Sequence, residues 1–374
     1  MLGVLLAATL LAGAPAHHCH APLPRGPAVP APIVLSTSCG SFALSTGGEL
    51  SRLPGHPRAG PGGGSWRNWG TPLTVRRNRA GRFFVLRHRH VVWRSHNLYP
   101  NDGGSIAFGP HEFAFASYRR GIFLTNLDSP ERLVTRGRGL FPYDFDNAGN
   151  LIIGGGRTIA LVSPAGTTLR RYRYRPRNGF AFDERSDTLF FVTPAGVLVL
   201  ARGTSLRLAR PLPGVDGMIS AEQSGLLVFS GAHAITVTRR DGALVAQTSW
   251  ARSRRFASDA GVSVSPDGQA FAFRLSDAGP GLRSATATVY LLRAGATEAQ
   301  PIYSHRLGAS GCAVGANLNW HGRFLLYSST DGRRAVFDTA DQRAVDLTRL
   351  ARLLPHRSQE ESARVSWRSD FESS

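Results

Sequence analysis

The sequence predicts an all-β protein, a β-propeller of four-stranded antiparallel blades. Three observations carry that reading. Short strands alternate apolar and polar residues, tight turns of defined chemistry join them, and the combination recurs every roughly 35 to 50 residues. The repeats count to seven, with six or eight blades also compatible. Composition agrees: 42 glycines and 23 prolines in 374 residues supply many tight turns, and a 42% hydrophobic share is enough for a sizeable core.

Residues 262–273 (VSVSPDGQAFAF) show the unit most plainly. Val262 and Val264 alternate on one strand, Phe271 and Phe273 on the next. Each strand therefore turns one side to a core and the other to water. Between them Pro266 presets φ, Asp267 can bond its own backbone, and Gly268 takes the positive φ that closes the turn. The same logic recurs at 146–150 before Leu151, at 183–187 before Leu189, at 222–225 before Leu226 and, shortened, at 320–323 before Phe324. Third strands are expected at 158–162, 197–200, 234–237, 288–292 and 335–337. More polar fourth strands are expected at 167–172 and 243–248.

The Ser265-Pro266-Asp267-Gly268 turn resembles the repeat of TolB-type propellers, and the stretch from Phe145-Asp146 to Leu151 resembles repeats of other extracytoplasmic, WD-repeat-like propellers. Trp320 stands where such repeats often carry a tryptophan before the turn, although the Ser-Pro-Asp is missing there. The resemblance implies architecture and little about activity, because propellers host binding proteins, hydrolases, lyases and dehydrogenases alike.

Taken in order, residues 1–16 (MLGVLLAATLLAGAPA) read as a secretory signal. The apolar run ends in the A-x-A-like Ala14-Pro15-Ala16 and is too short to span a bilayer comfortably, though no Lys or Arg precedes it. Residues 17–32 are a Pro-rich leader expected to be disordered; its His17-His18-Cys19-His20 could chelate copper or zinc but reads as a processing remnant. The propeller spans 33–353, with a Gly/Pro-rich loop at 54–68, and 354–374 read as a flexible tail. Repeats begin near Leu73, Ser105, Tyr143, Gly179, Gly217, Val262 and Val314, with 39–53 completing or buttressing the closure. In an oxidising compartment two of the three cysteines should bridge. A ring brings its first and last blades together, so a Cys39–Cys312 disulfide is expected, with Cys19 left over; three reduced, buried thiols are the alternative.

The formal net charge is +19, and all 44 basic residues are arginine, against 25 acidic ones. Such an excess suits anionic partners. In a propeller, loops joining strand four to the next strand one, and strand two to strand three, open on one face; the remaining loops open on the other. The first set carries Arg119, Arg120, Arg138, Arg157, Arg175, Arg177, Arg254, Arg255, Arg333 and Arg334, beside Arg136, Arg252 and Arg283. The second carries Asp128, Glu131, Asp146, Asp183, Glu184, Asp187, Glu222, Asp241, Asp267 and Asp341. Arg76, Arg77, Arg79 and Arg82 fall near an acidic-face turn and blur the division. Because the guanidinium fork matches phosphate and carboxylate, the first face is the candidate anion-binding surface.

No nucleophile elbow, zinc helix or C-x-x-C pair is present. Asp144-x-Asp146 with Gly149 resembles part of a calcium loop but lacks the later glutamate, and reads as a turn. His88, His90 and His96 flank one strand without an evident third ligand. No catalytic residue, metal or cofactor is assigned. The expected function is a secreted or cell-envelope binding or scaffold module, monomeric, without a transmembrane segment in its mature form. Its expected partner is a protein or an anionic cell-wall or glycan polymer, ahead of nucleic acid. The alternative is a lyase or hydrolase acting on an anionic polysaccharide at the channel mouth, with His233 or Tyr118 as base.

Overall fold

A computed structural model describes Cys19 and residues 21–53, 73–87, 90–99, 105–109, 112–203, 205–212, 214–222, 224–250, 255–277, 286–307, 316–355 and 363–367; the side chains at 74, 255–260, 277 and 364 lie outside that description. The chain forms two compact units, Met1–Ala59 with Leu307–Ser374, and Gly60–Arg306. The described residues form eight antiparallel sheets, seven of four strands and one of three.

The first unit opens with β1 (Ile33–Thr37), β2 (Gly40–Leu44) and β3 (Leu50–Leu53), a meander whose fourth strand arrives only at the other end of the chain.

The second unit holds six sheets. The three-stranded one is β4 (Leu73–Arg77), β5 (Phe83–Arg87) and β6 (His90–Arg94). Five four-stranded sheets follow. The first of these is β7 (Ile106–Phe108), β8 (Phe113–Ser117), β9 (Gly121–Thr125) and β10 (Arg132–Arg136); the next is β11 (Phe141–Phe145), β12 (Leu151–Gly155), β13 (Thr158–Val162) and β14 (Thr168–Arg173). Then come β15 (Phe180–Asp183), β16 (Thr188–Val192), β17 (Val197–Arg202) and β18 (Ser205–Pro211), and after them β19 (Met218–Ala221), β20 (Leu226–Ser230), β21 (Ala234–Arg239) and β22 (Leu244–Ser249). The last is β23 (Arg255–Val264), β24 (Ala270–Asp277), β25 (Thr286–Arg293) and β26 (Gln300–Arg306).

The first unit resumes with β27 (Ala316–His321), β28 (Phe324–Ser329), β29 (Arg334–Asp338) and β30 (Arg343–Asp346), then a short helix α1 (Thr348–Leu353) and β31 (Arg364–Trp367). Strand β31 pairs with β1, Ile33 opposite Trp367 and Leu35 opposite Val365.

Every sheet is a meander of consecutive strands except for that one non-local pairing. This is the blade of a β-propeller, and the chain is all-β in class, with eight such sheets among the described residues instead of the seven counted by repeat. The extra one is the segment at 33–53. It does not merely buttress a neighbour; it is a sheet of its own, completed by β31.

The apolar residues explain the stacking. Each sheet offers two faces, and clusters form between consecutive sheets. Ile152, Ile159 and Leu161 meet Phe180, Leu189 and Phe191; Phe190, Val192 and Leu198 meet Ile219, Leu227 and Phe229; Val228 and Val237 meet Phe271 and Phe273. In the first unit Ile33, Leu35 and Phe42 pack with Leu326, Val336, Leu350 and Trp367. Outer strands interlock as well. Strands β10, β14, β18 and β22 each lean on the turn between the third and fourth strands of the next sheet. Gly166 faces the Val134 carbonyl, where an added Cβ would stand 3.3 Å away, and Gly242 faces the Arg210 side chain at 2.8 Å. The Tyr172 hydroxyl donates to Gly203 O at 3.5 Å, and Gly295 N–H donates to Val245 O at 2.8 Å.

The sulfur chemistry differs from the expectation. Cys39 is bonded to Cys19, with Cα atoms 5.0 Å apart at a sequence separation of 20. A Cys39–Cys312 bridge is therefore excluded, and Cys312 itself lies outside the described residues. The first and last segments are joined by backbone pairing of β1 with β31 instead, so no cross-link is needed there. Cys39 is left in a tight turn, its N–H donating to Thr37 Oγ1 at 3.0 Å, within reach of the leader.

The leader itself is not disordered where it is described. Val29 and Ala31 are buried, and Gly26 N–H donates to Gly48 O at 2.9 Å. Nor is the segment after 353 only a tail. Leu354, Ala363 and Trp367 are buried, because the first sheet needs a fourth strand and a cover for its apolar side. The expected signal at 1–16 and the loop at 54–68 fall outside the described residues.

Candidate anion-binding face

Antiparallel order fixes which loops share an end of the strands. Within the second unit, the connections from strand two to three and from strand four to the next strand one emerge together. Hydrogen bonds tie them into one surface. Gly137 N–H donates to Arg120 O at 3.3 Å and Gly139 N–H to Tyr118 O at 3.2 Å. An added Cβ at Gly155 would stand 3.2 Å from Gly139 O, so the turn after β12 touches that loop. The Tyr174 N–H donates to Arg157 O at 3.2 Å and its hydroxyl to Gly156 O at 3.1 Å. Ile219 N–H donates to Asn178 O at 2.8 Å. Four successive sheets are linked in this way.

The charge on these loops is predominantly positive. The described connections carry Arg119, Arg120, Arg138, Arg157, Arg175 and Arg177, and the only acid among them is Asp216. The opposite connections of the same unit carry Glu112, Asp128, Glu131, Asp146, Glu184, Asp187, Glu222, Asp241, Asp267 and Glu298 against Arg79, Arg82, Arg185 and Arg240. Strand order thus separates the charges within this unit.

The arginines are not equivalent. Arg119, Arg120, Arg138 and Arg157 are exposed. The Arg120 guanidinium lies 5.9 Å from the centre of the Tyr99 ring, a cation–π contact that steadies it. Arg177 pairs with Asp216 at 3.3 Å, an exposed contact worth little in water. Arg175 is half-buried and spends Nη1 on the Val215 carbonyl at 3.1 Å. Arg333 and Arg334 belong to the first unit. Arg334 is buried, donating to the carbonyls of Ala363, Ser329 and Arg333, so it is a structural arginine that links β29 to the C-terminal segment. The side chains of Arg254 and Arg255 lie outside the described residues.

Two expected residues of the alternative reading sit on the same loops. Tyr118 is exposed beside Arg119; His233 is half-buried, and its carbonyl accepts from Trp250 N–H at 2.9 Å. Among the described residues no cluster of three or more His, Cys, Asp or Glu could hold a metal. Asp146 behaves as turn chemistry requires, its Oδ1 accepting from Ala148 N–H at 3.0 Å and Asn150 N–H at 2.7 Å.

One carboxyl is more than the turn residue that the sequence suggests. Asp144, on β11, is raised to about 7 by burial and by Glu184, whose carboxyl hydrogen-bonds it, while the Phe145 N–H at 2.8 Å pulls the other way. Each acid lies near the end of the first strand of its sheet, and a tilted contact between the Tyr143 and Phe180 rings, centres 4.5 Å apart, holds the two strands together. Such a carboxyl holds a proton up to neutral pH. Since the folded form binds that proton more tightly than the unfolded chain, its contribution is present below the ordinary aspartate range and is lost as pH rises toward 7. Asp144→Asn should therefore flatten the fall in stability between about pH 4 and 7, as read by urea unfolding across that range. An unchanged pH profile would contradict the assignment.

No family model and no curated protein matches the sequence. Solved structures resemble it at fold level. BamB from Moraxella catarrhalis is 12% identical, with a TM-score of 0.39 over 71% of this chain and 93% of that one. Hsv2p from Kluyveromyces lactis is 14% identical at 0.42, over 72% and 90%. The β-propeller domain of Cps50 (Swd1) from Myceliophteria thermophila is 12% identical at 0.41, over 78% and 98%. Among the described residues no helix is long and apolar enough to cross a membrane.

Proposed function

We propose that the protein is an extracytoplasmic, non-catalytic binding module that holds an anionic partner, a glycan or cell-wall polymer, on the arginine-bearing loops of the second unit. The observation that carries the reading is the excess of arginine on those hydrogen-bonded loops, where Asp216 is the one acid among the described residues. Exposed guanidinium groups on a backbone tied loop to loop can meet carboxylates, sulfates or phosphates in pairs at little ordering cost. The Cys19–Cys39 bond supports an oxidising compartment.

The test is affinity for a sulfated glycan of heparin type, measured by calorimetry at two salt concentrations. A variant carrying Arg119→Ser, Arg120→Ser, Arg138→Ser and Arg157→Ser should bind at least tenfold more weakly and show a shallower dependence on salt, since each lost phosphate-type contact removes released counterions. Unchanged affinity in a folded variant would discard the proposal.

A further inference from the structure

The outer strands of the second unit carry a surface that the loop face does not explain. In a blade the fourth strand is the most polar, yet here it displays leucine. Leu206 and Leu208 on β18 are 55% and 71% exposed, and Leu133, Leu169 and Leu244 stand out on β10, β14 and β22. Between the leucines lie arginines: Arg132 and Arg136, then Arg170, Arg171 and Arg173, then Arg207 and Arg210. None of these four strands contains an acidic residue. Arg170, Arg171, Arg173 and Arg207 make no ion pair among the described residues. Strands β14 and β18 are neighbours, linked by the Tyr172–Gly203 hydrogen bond.

The edges are not built for another strand to add. Each of the four strands carries a β-bulge against the strand inside it, where the register shifts at Leu133/Thr135, Leu161/Val162, Leu198/Val199 and Val237/Thr238. A bulge twists an edge away from further pairing, and arginines along it repel a second edge. What the rim offers is side chains, apolar tips alternating with long cations. That combination fits the boundary of an anionic bilayer, where leucine enters the acyl margin and arginine extends its head group to the lipid phosphates.

We infer that β14 and β18 form a docking surface for an anionic lipid membrane. The surface is separate from the loop face, so either can fail without the other. The probe is sedimentation of the full chain with vesicles of phosphatidylcholine, alone or mixed with phosphatidylglycerol. Binding is expected to the mixed vesicles and not to the neutral ones. Leu206→Ser/Leu208→Ser and, separately, Arg170→Ser/Arg171→Ser should each weaken it about tenfold or more. Both pairs are solvent-exposed, and circular dichroism checks that the variants fold. Three results would overturn the inference: no sedimentation with mixed vesicles; equal sedimentation of the wild type and both variants; or loss in the leucine variant traced by light scattering to lost self-association of the protein without lipid.

Discussion

Glu131→Ala is expected to cost about 3 kcal/mol of stability, well above an ordinary surface substitution. The carboxylate is buried in the turn before β10 and answers donors from the segment after β6. His96 N–H reaches Oε2 at 2.8 Å, Asn97 N–H reaches Oε1 at 2.8 Å, and the Tyr99 hydroxyl reaches Oε1 at 3.0 Å. Tyr99 is itself buried against Phe115 and Phe123, with ring centres 5.0 and 5.2 Å away. One side chain therefore anchors the chain where it passes from the three-stranded sheet to the next. Burial pushes the Glu131 carboxyl up, but the donors from Asn97, His96 and Tyr99 outweigh it and hold the pKa below the usual value. The sign follows: the contribution is full above the ordinary glutamate range and is lost as pH falls through the lowered folded value. Glu131→Gln keeps one acceptor and should fall between wild type and alanine, without the acid-side loss. Denaturant unfolding reads all three proteins. An alanine variant within about 0.5 kcal/mol of wild type would show that the network contributes little.

Trp367→Ala should be comparably severe, at about 3–5 kcal/mol. The indole is fully buried, its Nε1 donates to Asn319 O at 3.2 Å, and the residue closes the first sheet by pairing with Ile33. Truncation both opens a cavity among Leu35, Phe42 and Leu350 and loosens the one strand that joins the two ends of the chain. Trp367→Phe keeps most of the packing, loses the hydrogen bond, and should cost about 1–2 kcal/mol. Calorimetric melting distinguishes the pair. Two variants alike and near wild type would mean that β31 is dispensable to the first sheet.

Much of the fold could be read from local residues, because its unit is local. The hairpin at 262–273 forms as its turn chemistry demands. Gly268 has φ +69, Asp267 Oδ1 accepts from Gln269 N–H at 3.0 Å, and Ser265 Oγ accepts from Ala270 N–H at 2.9 Å. The repeats starting near Leu73, Ser105, Tyr143, Gly179, Gly217 and Val262 each became the first strand of a sheet or adjoined it. Among the described residues β6 is followed by no fourth strand of its own sheet, and the segment after it is held by Glu131 through the His96 and Asn97 N–H groups. What alternation cannot carry is who sits opposite across a long separation. Strand β31 looked like a tail because an alternation of four residues is too short to announce a strand whose partner, β1, lies at the other end of the chain. Cys39 was expected to reach Cys312 across the seam of a ring, and it bonds Cys19, at a sequence separation of 20, instead. Arg334 looked like surface charge because nothing near it in sequence announces three carbonyls folding around it. The arginine loops were visible, by contrast, since strand order alone decides their side.

The measurement that bears most directly on the proposed function is hydrogen exchange of the full chain with and without a bound heparin-type polymer. Slowed exchange is expected in the loops at 118–120, 137–140, 156–157 and 174–179, with the turns at 146–150, 184–187 and 265–269 unchanged. Slowing confined to those acidic turns, or none anywhere on the arginine loops while the polymer is bound, would contradict it.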